Sequence, residues 1–496
     1  MKARRAAAAV FLLLVCLPDL SARDIKVTGK VTCAGRGVPD VWVTDGANFV
    51  RTGLKGEYEL VADDRNPFVY LTVPSGYEVP VEQGVSRFYQ RMPSGRKGRC
   101  DFQLQRRKQD ERKQCLIVTA DPQIACEKEF PKLREGVADI RETVAEHPDA
   151  FAHGICAGDL TFNRYDLLDR YNAVMAASGI LFRNVAGNHD HTDYKASNED
   201  SFDEYEKVYG PAWYSYDIGD IHYVMLDDNF FLGREWYYIG YLDKRQLAWL
   251  EQDLSHVEPG STVFASMHIP STEGPGDRKV LNYPKGVGVL TNFRTLFDLL
   301  KPFNAHLLHG HTHTTYNEKI GDSLYVHVVP SIGGAWWQGP VCTDGTPLGY
   351  RVFEIDGPRV ENVYFKSVGF PRDYQCRLFT GADAPEYAGY AVANVWGEDA
   401  DWTVEFRFDG VPADTVERIV SRDPAARLYY QDKSKLDYEW IGPTDSRHFF
   451  RAALPAGTRE VEVVVTDRFG TTFRASKTLV SKPVVCRIEG SANFAR

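Results

Sequence analysis

Through the middle of the chain, short apolar runs alternate with longer stretches in which apolar residues recur every three or four positions. The runs are Cys115 to Thr119, Phe151 to Ala157, Ile180 to Val185, Thr262 to Met267 and Ala305 to Leu308, and their length and β-branched content predict strands. Between them, Pro131 to Glu146 carries Leu133, Val137, Ile140 and Val144 on one face, and Leu242 to Leu254 turns Leu247, Leu250 and Leu254 inward. Arg164 to Ser178 and Asn292 to Leu300 have the same helical character. Strands alternating with helices predict an α/β domain with a mostly parallel sheet over residues 113–372.

On both sides of this region the rhythm changes. Ile25 to Val31, Val41 to Thr44 and Tyr58 to Val61 are short runs divided by glycine-rich turns, which predicts a small all-β sandwich over residues 23–107. A charged linker, Gln105 to Lys113, leads out of it. From about Asp373 the helical period stops: Trp402, Val404, Phe406 and Phe408 alternate with polar residues, as do Val461, Val463 and Val465, with Asp467 to Gly470 as a hairpin turn. Residues 373–496 therefore predict a second β-sandwich. The expected fold class is an α/β sandwich core flanked by two all-β sandwich domains.

A length of 496 residues fits about three domains. The formal charge of -10 argues against nucleic-acid binding through a broad basic face. Residues 1–22 combine Lys2, Arg4 and Arg5, an apolar run from Ala6 to Leu17, and Leu20-Ser21-Ala22 before Arg23, the pattern of a cleavable export signal. The expected location is periplasmic or extracellular. A lipid anchor at Cys16 is disfavoured by Val15, where a small residue would be expected, and no other run approaches the length of a membrane helix. Beyond the leader the cysteines form no Cys-x-x-Cys; Cys33 with Cys100, and Cys376 with Cys486, bracket the two flanking regions and could pair.

The polar residues at the strand ends carry the chemistry. Asp121 and Gln123 follow the first run, Asp159 the second, Asn188, His189 and Asp190 the third, His268 the fourth, and His311 and His313 the fifth. In open α/β sheets the carboxyl ends of strands converge on one crevice, so these residues can share a site. Carboxylates, amides and imidazoles without a thiolate suit two fairly hard divalent or trivalent metal ions.

Asp121-x-Gln123, Gly158-Asp159, Gly187-Asn188-His189-Asp190, His268 and Gly310-His311-x-His313 together resemble the calcineurin-like metallophosphoesterases over roughly residues 115–370. The resemblance implies a first metal held by Asp121, Gln123, Asp159 and His313, and a second held by Asp159, Asn188, His268 and His311, with Asp159 as the bridge. It implies in-line attack on a phosphate monoester or diester by a hydroxide shared between the cations. His189 would stabilise the transition state or protonate the leaving oxygen, and Asp190 would orient its ring. Most of the family has His where this chain has Gln123, although some members carry Asp-Pro-Gln; an amide there favours Mn or Fe, with Mg or Zn as alternatives. Purple acid phosphatases place a Tyr ligand where this chain has Phe162, so no tyrosinate colour is expected. The same scaffold stripped of metals would leave a binding protein, but every ligand position here is filled by a residue able to coordinate.

The segment Gly37 to Gly46, with Thr52 and Gly56-Glu57-Tyr58, resembles carboxypeptidase regulatory-like or transthyretin-like modules. That implies a spacing role or contact with a surface polysaccharide. His191, His306 and His309 read as supporting or core residues. Trp336 and Trp337 either wall a substrate pocket or pack against the C-terminal sandwich, and the glycine-rich segment Ser271 to Gly288 is a candidate rim over the site.

Overall fold

A computed structural model describes residues 24–233, 237–274 and 286–479. The expected leader, Cys16, Cys486 and most of the candidate rim fall outside these residues.

The central region contains two sheets rather than one. The first has the strand order Phe182–Asn184, Phe151–Cys156, Lys113–Thr119, Gly349–Asp356 and Arg359–Ser367, of which the first three run parallel and the last two pair antiparallel. The second has the order Tyr214–Ile218, Ile221–Met225, Thr262–Ser266, Asn304–His309, Leu324–Val328 and Tyr316–Ile320; its four inner strands are parallel and its two edges antiparallel. Leu116, Val118 and Ile155 of the first sheet share a core with Tyr223, Val263 and Leu307 of the second. On its other face the first sheet buries Cys115, Ile117 and Cys156 under the helices Phe130–Ala145 and Leu168–Ala176. The helices Lys244–Leu254 and Phe293–Leu300 pack on the second sheet through Trp249, Leu250, Leu296 and Leu300. The result is a helix–sheet–sheet–helix sandwich.

The expectation of a mostly parallel sheet thus holds for seven strands, divided between two sheets, and misses the mixed edges. Tyr316–Ile320 reads Tyr-Asn-Glu-Lys-Ile and Gly349–Asp356 contains Arg351, so neither shows an apolar run. Arg351 is nevertheless fully buried, its Nη2 donating to Thr315 Oγ1 at 2.9 Å. A buried polar residue with a partner satisfies the fold while hiding the strand from a hydrophobicity pattern.

The N-terminal region is a two-sheet sandwich, one sheet built on Asp24–Cys33 and Glu57–Asp63, the other on Trp42–Thr44 and Phe68–Leu71. Val73 bridges to Tyr216 at the edge of the second core sheet, with Asp217 N donating to Val73 O at 2.9 Å. Cys33 and Cys100 are free thiols. The parallel register sets Thr28 opposite Arg99 and Cys33 opposite Leu104, so the two cysteines sit about four residues apart along neighbouring strands, roughly 13 Å, which no disulfide can span. Cys376 is also free.

After Ser367 the chain forms the C-terminal sandwich. One sheet orders Cys376–Thr380, Tyr390–Val395, Ser446–Ala453 and Glu417–Ser421; the other orders Val411–Pro412, Thr403–Phe408, Glu460–Thr466 and Thr472–Thr478. The alternating residues Phe406, Phe408, Val461, Val463 and Val465 form its own core. No helix among the described residues is long and apolar enough to cross a membrane.

Candidate metal centre

Polar residues follow the carboxyl ends of several parallel strands, and after three of them, Lys113–Thr119, Phe151–Cys156 and Asn304–His309, the backbone is tightly bent. Asp121, Gln123, Asp159, His311 and His313 have φ of 49°, 39°, 56°, 71° and 51°, all in the left-handed region. Non-glycine residues tolerate this conformation only where the surroundings impose it, and such positions gather at functional sites. Two glycines allow the loops to close on one another. A Cβ on Gly187 would stand 2.2 Å from Asp159 Oδ1, and one on Gly310 would stand 2.5 Å from Asp121 Oδ2. The glycines of Gly187-Asn188-His189-Asp190 and Gly310-His311 are therefore space requirements of the neighbouring carboxylates.

Asp159 lies at the centre. Its Oδ1 accepts from His189 N at 2.8 Å, its Oδ2 accepts from Gln123 Nε2 at 2.7 Å, and His268 Nε2 stands 3.3 Å from Oδ2. Ligand atoms of Asp121, Asp159 and His268 lie within 4.8 Å of one another, and all three residues are buried. Asn188 Oδ1 and His311 Nδ1 each lie 3.2 Å from His268 Nε2, and His313 Nε2 lies 3.6 Å from Asp121 Oδ1. All seven expected ligands, Asp121, Gln123, Asp159, Asn188, His268, His311 and His313, thus belong to one cluster.

The donor atoms are prepared for a cation. His268 Nδ1 pairs with Ala157 O at 2.8 Å and His313 Nδ1 with Gly334 O at 2.8 Å; donation from Nδ1–H leaves each Nε2 as the coordinating atom. Gln123 Oε1 and His313 Nε2 are buried without a hydrogen-bond partner, which is costly unless an electropositive group meets them. Burial drives the Asp121 carboxyl well above its usual range, and the charge of Asp159 adds to this while His268 opposes it. For Asp159 burial also opposes ionisation, but His268 and His189 outweigh it and hold the carboxyl well below the usual range. Burial lowers His268, yet the two carboxylates carry it up to about 10. The ionised, buried Asp159 ringed by carboxyl, amide and imidazole donors occupies a place that attracts positive charge, and the residues fit a pair of metal ions.

His189 and Asp190 do not form the pair expected of them. His189 Nδ1 is 2.7 Å from Asn163 Oδ1. Asp190 instead accepts from Leu160 N at 3.0 Å and Gly187 N at 2.8 Å. Asn163 therefore orients the His189 ring, while Asp190 ties the loop after Asp159 to the loop that carries Asn188. Sequence reading missed Asn163 because its spacing from Asp159 carries no mark of its role. It also missed Asp228, whose carboxylate accepts from His268 N at 3.1 Å and Ile269 N at 2.9 Å and is pushed up to about 8 by burial. Asp228 follows the strand Ile221–Met225, so recognising that strand would have exposed another polar tip.

The neighbouring histidines have structural partners. His191 Nε2 meets Asp227 Oδ1 at 2.9 Å, His309 Nε2 meets Ser271 Oγ at 3.1 Å, and His306 lies between Phe264 and Tyr325 with Nδ1 3.1 Å from His327 Nε2. Trp337 is buried with Nε1 donating to Pro122 O at 2.8 Å, whereas Trp336 stacks on His313 with centroids 4.1 Å apart.

Comparison with known families decides the chemistry. Residues 116–315 match calcineurin-like phosphoesterase, residues 25–107 match the N terminal of calcineurin-like phosphoesterase, and residues 326–473 match the C terminal of calcineurin-like phosphoesterase. The chain belongs to the calcineurin-like phosphoesterase family. It is accordingly a metal-dependent phosphoric ester hydrolase, and the N- and C-terminal matches take in most of the two flanking sandwiches.

No curated protein matches the sequence significantly. Among solved structures, a dimetal phosphatase from Danio rerio is similar at 15% identity and a TM-score of 0.35, covering 52% of this phosphoesterase and 99% of that chain. A purple acid phosphatase from yellow lupin (Lupinus luteus) seeds is similar at 12% identity and a TM-score of 0.33, covering 73% and 67%. A 5'-nucleotidase from Candida albicans is similar at 8% identity and a TM-score of 0.32, covering 53% of each.

Proposed function

We propose that this phosphoesterase is an exported enzyme with a dinuclear centre that transfers the phosphoryl group of a monoester or diester to water. The observation that carries the reading is the position of Asp159, bonded on both carboxylate oxygens at the middle of the seven ligands. Asp121, Gln123, Asp159 and His313 would hold one ion, and Asp159, Asn188, His268 and His311 the other. When bound, two such ions supply Lewis acidity and lower the pKa of water. The chain's residues do the rest. Asp121 and Asp159 provide the anionic charge that balances the ions, and Asp228 fixes the backbone of His268. Asn163 Oδ1 accepts from His189 Nδ1–H, which leaves Nε2 able to exchange a proton with the leaving oxygen. The neutral amide oxygen of Gln123 in place of an imidazole supports Mn or Fe, with Mg or Zn as alternatives.

Export rests on the basic start and apolar run of residues 1–22; N-terminal sequencing of the released protein should begin at Arg23. Hydrolysis is tested with p-nitrophenyl phosphate and bis-p-nitrophenyl phosphate, using protein stripped of metal and reloaded with Mn, Fe, Mg or Zn. Turnover restored by metal supports the reading, and the ratio of the two rates separates monoester from diester chemistry. Metal uptake with no hydrolysis of either ester would favour a binding role.

A further inference from the structure

The C-terminal sandwich sends an arm across to the metal face. It comprises the helix Pro424–Tyr430, the turn Lys433–Lys435 and the stretch to Ile441. Asp423 caps the helix by accepting from Ala425 N at 2.7 Å. Tyr430 and Ile441 pack with Ala335 and Val341 of the loop between the strands Leu324–Val328 and Gly349–Asp356. Asp437 N donates to Gln338 Oε1 at 2.9 Å, and Tyr430 Oη donates to Val341 O. An anchored arm holds its side chains in place.

At the tip, Tyr438 and Trp440 stack at 4.6 Å. Trp440 meets the edge of Trp336 at 6.1 Å and lies 6.5 Å from Phe162. Phe162 packs on the His189 ring at 4.3 Å and Trp336 on His313 at 4.1 Å. A continuous aromatic surface therefore runs from the catalytic imidazole outward, and at its end Trp440 is 60% exposed. A large ring held open to water on an anchored arm, next to the group that handles the leaving oxygen, suits stacking against a ligand.

We propose that Phe162, Trp336, Tyr438 and Trp440 form a leaving-group subsite for a planar ring, so that the preferred substrates are phosphoesters of nucleoside-like alcohols. This rests on the phosphoesterase reading and deepens it. The arrangement also settles the role of the paired tryptophans: Trp337 is a core residue, while Trp336 links the metal ligand His313 to the arm.

The test compares adenosine 5'-monophosphate with ribose 5-phosphate, and the methyl diesters of both, on the metal-loaded full chain. The leaving oxygen is the same within each pair and only the ring differs. The expected kcat/KM preference for the adenosine ester is about 10- to 100-fold. It should collapse in Trp440→Ala and largely survive in Trp440→Phe, with metal content unchanged in both. As a second readout, adenosine should quench the intrinsic fluorescence of the native protein, ribose should not, and the quench should shrink in Trp440→Ala. Equal kcat/KM values within each pair would overturn the inference. So would cleavage of p-nitrophenyl phosphate without cleavage of any adenosine ester, which leaves the phosphoesterase reading standing. Failure of every ester, p-nitrophenyl phosphate included, would overturn both.

Discussion

The two flanking sandwiches are joined to the core in different ways. The N-terminal one shares its hydrophobic core with the second sheet: Val27, Val43 and Leu71 belong to the same cluster as Tyr223 and Leu307. Trp42 stacks on His256 at 3.6 Å, and no residue of this domain contributes to the metal cluster described above. The C-terminal sandwich keeps a separate core and meets the phosphoesterase domain through a buried polar joint, beside the small apolar contact of the arm's Tyr430 and Ile441 with Ala335 and Val341. There Asp344 accepts from Thr315 N at 2.8 Å and pairs with His448 at 3.1 Å, while Asn394 donates to Asp423 at 2.8 Å. From Asp423 onward runs the arm that carries Tyr438 and Trp440. The apolar joint is a buttress. The polar joint fixes the position of a surface beside the reactive centre, since directional bonds specify orientation more sharply than apolar contact.

The sharpest break in this comparison should come from Asp344→Ala. It leaves His448 and Thr315 N without their buried acceptor, should cost about 3–5 kcal/mol, and should expose the C-terminal sandwich to limited proteolysis while the N-terminal one stays resistant. Leu71→Ala, in the apolar joint, should cost about 3 kcal/mol in a denaturant melt through cavity formation, with kcat/KM at 25 °C unchanged.

The N-terminal joint also contains an ionic pin. Buried His222 lies 2.7 Å from Asp217 and 2.9 Å from Asp253, and Asp253 accepts from Ser215, which bonds Thr72 of the sandwich. Burial opposes its charge, but the two carboxylates raise its pKa to about 10. A raised folded-state pKa gives stability that is fully present below the unfolded value near 6.5 and is lost as pH rises through about 10. Denaturant melts should therefore show a loss on the order of 2–3 kcal/mol between pH 7 and 10, and a smaller pH dependence in His222→Asn.

The smallest expected effect distinguishes Asn163 from Asp190. Asn163→Ala should lower kcat by about 10- to 100-fold with metal content intact. Asp190→Ala should instead lose metal, measurable by elemental analysis, because the loop bearing Asn188 is released. The reverse pattern would restore Asp190 as the residue that orients His189.

What the sequence showed and what it hid follow from one cause. Asp121, Asp159, His268, His311 and His313 stand just after apolar strands, where a hydrophobic run gives way to a polar side chain, and the pattern is local. Asn163 acts through contacts with residues distant in sequence and nothing in its neighbours marks it, whereas Asp228 stands after the apolar run Ile221–Met225 and is marked only once that run is read as a strand. Strands such as Tyr316–Ile320 hid because polar residues on an edge strand interrupt the apolar pattern. Tyr438 and Trp440 lie more than two hundred residues from His189, so only the fold brings them to it.

The central claim is that Asp159 holds two ions together. Metal content and p-nitrophenyl phosphate turnover, measured on the same samples of native protein and Asp159→Ala, test it most directly. The expected result is two ions per native chain, a loss of at least one in the variant, and a fall in turnover of at least about 10³-fold with the fold unchanged by circular dichroism. A variant that keeps both ions and its turnover would contradict it.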